Sequence, residues 1–208
     1  GDEAFPAMLK AIESAKTSIS LATYIFDRDQ TGLVFVAALA RAVDRGVAVR
    51  VLIDDAGARY SWPSILQELK LARVTVARFL PTLPLWHFMT MNLRNHRKAL
   101  VVDGRIGFAG GINLRLGNVL GDQPRQPVQD LHFQIEGPVV AQLQEAFVSD
   151  WVFTTREILE GEAWFPRLKG CGDLIARVIT DGPDEDYDKL RWTLLAALAE
   201  AQSSVQIV

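Results

Sequence analysis

The sequence predicts an α/β protein: a mainly parallel or mixed β-sheet flanked by helices, with the start of a second, similar domain at its end. Three observations predict it. Apolar segments rich in β-branched residues alternate with segments of helical period from residue 4 to residue 79. Two further apolar segments, Ala99 to Val102 and Ile106 to Ala109, flank the turn pair Asp103-Gly104 and read as a hairpin. The last residues echo the first at a constant spacing. With 208 residues and 49% apolar content, and a mean hydropathy of +0.12, the chain is globular and long enough to bury a sizeable core. The net charge of -3 gives no support for broad electrostatic binding of nucleic acid. The single Cys171 excludes an internal disulfide, and no run of about 18 apolar residues predicts a membrane span. The chain opens on Gly1 without an initiator Met or a signal peptide, as expected of a trimmed or processed product.

Residues 4–16 carry apolar side chains at helical spacing behind the acids Asp2 and Glu3, which suit a first turn. Ser18 to Phe26 reads as a strand, broken by Asp27-Arg28-Asp29. Thr31 is the expected cap of a helix over Gly32 to Arg45, ended by Gly46. Val47 to Ile53 is a strand closing on Asp54-Asp55, Ser61 to Leu71 a helix with Pro63 in its first turn, and Val74 to Phe79 a strand. Residues 79–94, FLPTLPLWHFMTMNLR, are apolar but interrupted by Pro81 and Pro84. They read either as a lip whose Leu83, Leu85, Trp86, Phe88 and Met89 meet acyl chains at a bilayer surface, or as a loop packed on the core. His87 has no partner at metal-ligand spacing and reads as a bystander.

The chemistry-bearing stretch is Asn95 to Asn113, NHRKALVVDGRIGFAGGIN. His96 and Lys98 are two residues apart, so in extended chain both point to one face, a reactive ring beside a cation. Gly110-Gly111 lets backbone approach a ligand before Asn113. Asp103 stands an odd number of positions from His96, faces away and reads as support for the turn. Leu114 to Pro127 is a loop in which Arg115 and Arg125 either complete a site or lie in solvent. Val128 to Ile135 reads as a strand carrying Asp130 and His132 on one face. Gly137-Pro138 then opens a helix in which Asp150-Trp151 is a helix end with its Trp in the core.

The spacing His-x-Lys-x4-Asp-x6-Gly-Gly-x-Asn, met by His96, Lys98, Asp103, Gly110, Gly111 and Asn113, resembles the HKD signature of the phospholipase D superfamily. The Gly-Gly form, where the superfamily often has Gly-Ser, looks like its cardiolipin synthase branch. So does D-L-H-F-Q-I-E-G-P-V-V followed by F-V-S-D-W. By that resemblance Asp130 orients the nucleophilic histidine, and the fold is phospholipase D-like.

After Thr155 the chain is irregular to Gly172, then Leu174 to Thr180 reads as a strand and Tyr187 to Ala201 as an amphipathic helix. Residues 11–21, AIESAKTSISL, align with 197–207, ALAEAQSSVQI, at an offset of 186. Residues 1–155 are therefore expected to form one domain, 156–173 a linker, and 174–208 the incomplete start of a second like the first. Tandem-motif members of the superfamily are built this way, with the site between halves. The resemblance thus implies that a second HKD half is supplied by further chain or another copy.

A neutral imidazole can attack phosphorus in line and form a phosphohistidine, which splits one displacement into two. His96 is the candidate nucleophile, or the general acid if its counterpart attacks. Lys98 and Asn113 can donate to phosphoryl oxygens, with Gly110 and Gly111 at the substrate. No cluster has convincing metal-ligand spacing, so neither metal nor cofactor is expected. The resemblance implies a metal-independent phosphatidyltransferase that moves a phosphatidyl group to a phospholipid or alcohol hydroxyl. The alternative is a phospholipase D that releases phosphatidic acid. A nuclease, another phosphodiesterase or a non-catalytic half is less favoured. A phospholipid substrate, a peripheral membrane contact and the cytoplasmic side of a bacterial inner membrane follow from the same resemblance.

Overall fold

The computed structural model describes residues 1–59, 62–80, 95–180 and 188–206. In chain order these form α1 (Ala4–Ser14), β1 (Ser18–Thr23), α2 (Gln30–Asp44), β2 (Ala48–Asp54), α3 (Ile65–Leu71), β3 (Thr75–Phe79), β4 (Ala99–Val102), β5 (Ile106–Gly110), β6 (His132–Glu136), α4 (Val139–Thr155) and α5 (Lys189–Glu200). Among the described residues the strands make one six-stranded sheet in the order β3-β2-β1-β4-β5-β6. The pairs β1–β2 and β2–β3 are parallel, whereas β1–β4, β4–β5 and β5–β6 are antiparallel, so the sheet is mixed. The division follows from the connections. Helical crossovers over α2 and α3 return the chain in the same direction, and the tight turn between β4 and β5 reverses it.

The strands alternate between two cores. Ile19, Leu21, Leu100, Val102 and Phe108 pack against Ile12, Phe35, Leu39 and Leu69 of α1, α2 and α3. On the other face, Ala22 and Leu52 meet Phe147 and Trp151 of α4, while Ala99 and Val101 meet Val140 and Leu143. Each such Leu, Ile or Phe contributes about 1.5–3 kcal/mol by leaving water. Every residue of β1 is buried, and its polar side chains are satisfied. Gln144 Nε2 donates to Ser20 Oγ at 3.0 Å, and Ser18 Oγ donates to the Ala163 carbonyl at 2.5 Å.

Several boundaries differ from the sequence reading. Asp29, not Thr31, caps α2: its carboxylate accepts from Gly32 N at 2.9 Å, and a carboxylate is the stronger partner for the exposed N–H groups of a helix start. The third helix starts later, behind Ser64, whose hydroxyl accepts from Leu66 N. The strand expected over Val128 to Ile135 is confined to His132–Glu136, because β5 offers partners only up to Gly110. Leu174 to Thr180 is not a strand: no ladder pairs with it among the described residues, and Leu174 and Ile175 are exposed. The irregular segment after Thr155 is present, yet its first part does not hang free. Leu159 and Trp164 are buried beside Trp151, and Glu157 accepts from Trp151 Nε1 at 2.8 Å and from Arg50 Nε at 2.9 Å.

Asp103 and Gly104 turn the β4–β5 hairpin with φ of 53° and 59°, the paired left-handed geometry of a type I′ turn. The Asp103 carboxylate accepts from the backbone N–H groups of Lys16 at 3.0 Å, Thr17 at 2.7 Å and Ser18 at 3.0 Å, and from the Thr17 hydroxyl at 2.9 Å. It therefore welds the hairpin tip to the join between α1 and β1. Burial pushes its pKa up, but those donors together outweigh burial and hold it below the ordinary aspartate value. Stability from this carboxylate is then fully present above the ordinary aspartate pKa and is lost as pH falls through the lowered folded value. We expect Asp103→Asn to cost about 1–2 kcal/mol at neutral pH. Urea denaturation should show the gap from wild type closing in acid; a gap that persists there would refute the assignment.

Candidate active site

The sheet topology delivers the candidate residues to one edge. Because β4 runs antiparallel to β1 and β5 to β4, the C-terminal ends of β1 and β5 meet the N-terminal ends of β4 and β6 there. Residues 25–27 and 113–115 extend that edge side by side: Asp27 N donates to Leu114 O at 3.0 Å, and Leu114 N donates to Ile25 O at 3.1 Å. Asp103 sits at the opposite end of β4. It lies five positions along extended chain from Lys98, about 17 Å at the rise of a strand, so it is structurally remote from the others.

His96 is exposed on this edge, with its ring tilted 38° against Tyr24 and the centroids 4.0 Å apart. Lys98 Nζ donates to the His96 carbonyl at 2.7 Å and lies 5.5 Å from the Tyr24 ring centroid. Burial lowers the Lys98 pKa, opposed by the nearby Asp130 carboxylate. Asn113 Oδ1 accepts from Ile25 N at 3.0 Å, which anchors the amide and leaves its N–H donors for a ligand. Thus His96, Lys98 and Asn113 share one edge, with Tyr24 wedged beside the first two. Tyr24 was hidden in the sequence as one aromatic residue inside an apolar stretch read as strand to Phe26, and only the structure ends β1 at Thr23, just before it.

Asp130 lies in the loop before β6, and its carboxylate accepts from Leu131 N at 2.7 Å. The close approach of that carboxylate depends on Gly111, where an added Cβ would sit 2.1 Å from Asp130 Oδ2. At Gly110 an added Cβ would sit 2.2 Å from the Leu131 carbonyl. Gly110 pairs with Lys98 on one side and with His132 on the other, so Lys98 and His132 occupy one cross-sheet row. Burial lowers the His132 pKa to about 4, against the raising effect of Asp130, and keeps this ring neutral at neutral pH.

The run from Asn95 to Lys98 precedes β4 yet keeps the strand's alternation. Asn95 and Arg97 turn to the α4 face, the side opposite the exposed His96 ring. Asn95 Nδ2 donates to Asp150 Oδ2 at 2.7 Å, and the Arg97 guanidinium pairs with the same carboxylate. Asn95 N donates to Asp54 Oδ2 at 2.9 Å, and Asp54 is 1% exposed. The sequence reading placed Asp54 at a strand end and Asp150 at a helix end, and no local pattern ties either to Asn95, 41 and 55 residues away. Arg115 is tied to Asp27, 3.5 Å away, and Arg125 is exposed. The expected lip from residue 81 onward, with Leu83, Leu85, Trp86, His87, Phe88 and Met89, lies outside the described residues.

The family described as cardiolipin synthase, PLD-like domain, matches residues 8–151. The chain belongs to this family. It is 34% identical over 217 residues to cardiolipin synthase 1 of Bacillus anthracis, a match covering 100% of this chain and 42% of that protein. To cardiolipin synthase of Staphylococcus aureus (strain N315) it is 31% identical over 211 residues, again covering 100% of this chain and 42% of the relative. The chain thus spans less than half the length of these relatives. In fold it is similar to Nuc, a phospholipase D family member from Salmonella typhimurium, with TM-score 0.55 and 21% identity over 72% of this chain and 88% of that one. It is also similar to phosphatidylserine synthase from Haemophilus influenzae, with TM-score 0.56 and 16% identity over 72% of this chain and 34% of that one. At position 111 the Asp130 carboxylate fills the space that a side chain would need.

Two outcomes follow from this geometry. Asp130→Asn removes the charge that raises the Lys98 pKa, so the Lys98 ammonium should titrate at lower pH than in wild type, as read by lysine-selective NMR; no downward shift would remove Asp130 from the site's electrostatics. Gly110→Ala should destabilise by about 1–3 kcal/mol, more than Gly111→Ala, because backbone blocks the first methyl and a movable carboxylate the second. Equal thermal melts of the two variants would contradict this.

Proposed function

We propose that this chain is the HKD-bearing half of a phosphatidyltransferase of the cardiolipin synthase type. The observation that carries the reading is the grouping of exposed His96 with Lys98 and Asn113 on one sheet edge, in a chain similar along its whole length to cardiolipin synthases. His96 attacks the phosphorus of a phosphatidyl donor and becomes a phosphohistidine while the donor's alcohol leaves with a proton supplied by a second histidine. An acceptor hydroxyl then gives its proton to that second histidine and displaces His96, releasing the new phosphodiester. The Lys98 ammonium and the Asn113 amide meet the charge on the phosphoryl oxygens. Tyr24 holds the His96 ring, and Asp130 supports Lys98 electrostatically.

The second histidine belongs to another HKD half, which the greater length of the relatives accommodates. Residues 1–155 are then the first domain, 156–173 the connection, and 174–208 the beginning of the second. The α1–β1 echo supports this. So does α5, whose Leu194, Leu195 and Leu198 are all exposed, an apolar surface that a second half would cover. No helix among the described residues is long and apolar enough to cross a membrane. Its similarity to bacterial cardiolipin synthases supports a chain that meets its phospholipid at a membrane surface, by peripheral contact or through a segment elsewhere, on the cytoplasmic side of a bacterial inner membrane.

The test is a lipid assay of the full protein containing both halves, with phosphatidylglycerol, with and without EDTA, and with His96→Ala alongside. Cardiolipin and glycerol are expected from wild type, undiminished by EDTA, and a loss of at least about 10⁴-fold in the variant, in line with removal of a nucleophile. Phosphatidic acid as sole product would move the activity to hydrolysis. Full turnover by His96→Ala would refute the assigned nucleophile.

A further inference from the structure

We propose that Asp150, on α4, is a positioning residue for the reaction: it clamps Asn95 and Arg97 from behind the sheet and thereby aims His96 and Lys98. The inference rests on the reading of His96 as the reacting group. Residues 95–98 precede the ladder of β4, and of their backbone groups only the Lys98 carbonyl, which accepts from Gly110 N at 3.3 Å, still meets the neighbouring strand. What holds them is a set of side-chain contacts. Asp150 Oδ2 accepts from Asn95 Nδ2 at 2.7 Å and pairs with the Arg97 guanidinium, whose Nη1 also donates to the Ala146 carbonyl at 3.2 Å. Asn95 Oδ1 in turn accepts from Arg97 N at 3.1 Å, closing a small turn between the two clamped residues. Asp54, at the end of β2, fixes the backbone of Asn95 at 2.9 Å.

Alternation converts this into orientation. With every second side chain held on one side, the intervening His96 and Lys98 are presented on the other, against Tyr24. Two residues of irregular chain would otherwise have several backbone conformations, and His96 would lose its seat. A carboxylate suits the task because one group can accept from an amide and a guanidinium together, and its 15% exposure keeps water from competing strongly. The clamp also couples the edge to α4, which packs across the sheet through Phe147 and Trp151.

The test uses the full protein in detergent micelles with phosphatidylglycerol, and His-selective isotope labelling to follow the His96 ring, assigned with His96→Ala. Asp150→Asn and Arg97→Lys approach the clamp from its two sides. Glu157→Gln, which breaks the Arg50 pair on another part of the same face, controls for general loss of stability. The expected result for both clamp variants is a fall in kcat of about 10²-fold, the scale of misplacing a reacting group by an ångström. KM should change little, the His96 ring resonances should shift away from the position they take beside the Tyr24 ring, and Asp150→Glu should recover part of the loss. Glu157→Gln should lower Tm and leave kcat and the His96 resonances in place. Unchanged His96 resonances in Asp150→Asn, or a kcat loss explained by the unfolded fraction alone, would overturn the proposal. Turnover that survives His96→Ala would instead sink the underlying reading of the site, a distinct result.

Discussion

The antiparallel pairing of β4 with β1 is the constraint on which the rest of the structure depends. Up to β3 the chain builds a parallel sheet by helical crossovers, and every strand leaves its C-terminal end on one edge. Inserting β4 in the opposite direction places its N-terminal end, and so His96 and Lys98, on that same edge. The return through β5 brings Gly110, Gly111 and Asn113 back to it, and β6 enters from there. A parallel β4 would have carried the histidine to the far side, among the contacts that Asp103 makes.

Within this frame the two ends of the hairpin divide the labour. At the far end, Asp103 satisfies backbone N–H groups that no ladder pairs, and so fixes the hairpin against α1 and β1. At the near end, Asp150 holds the Asn95 and Arg97 side chains and Asp54 the Asn95 backbone from behind, while Asp130, seated in the space that Gly111 leaves, acts on the Lys98 charge. Burial of the Asp54 carboxylate is tolerable because it accepts from Asn95 N at 2.9 Å and Ala56 N at 2.9 Å, bonds that offset its cost in desolvation.

The site also shows how burial tunes neighbouring groups differently. Lys98 is half-buried and has its ammonium made easier to deprotonate, while the close carboxylate limits the effect. His132, in the same row across Gly110, is desolvated enough to stay neutral. His96 alone of the two is exposed to an incoming ligand. One histidine is thus exposed and the other packed, although the sequence offers both beside an aspartate or a lysine.

The sequence by itself determined the elements whose signal is local. Hydrophobic period placed α1, α2, β1 to β5 and α4 within a few residues. The Asp103-Gly104 pair specified the hairpin, and fixed spacing picked out His96, Lys98, Gly110, Gly111 and Asn113. These depend on neighbours a few positions away, where side-chain period and turn preference act. Only the tertiary structure decided what depends on partners far along the chain. It shortened β6 to the length that β5 can pair, withheld a strand from Leu174 to Thr180, and moved the α2 cap to Asp29. It brought Tyr24 onto His96, and set Asp54 and Asp150 behind Asn95 and Arg97. A strand needs a ladder and a carboxylate needs a donor, and neither requirement is visible until the sheet has closed the distance between them.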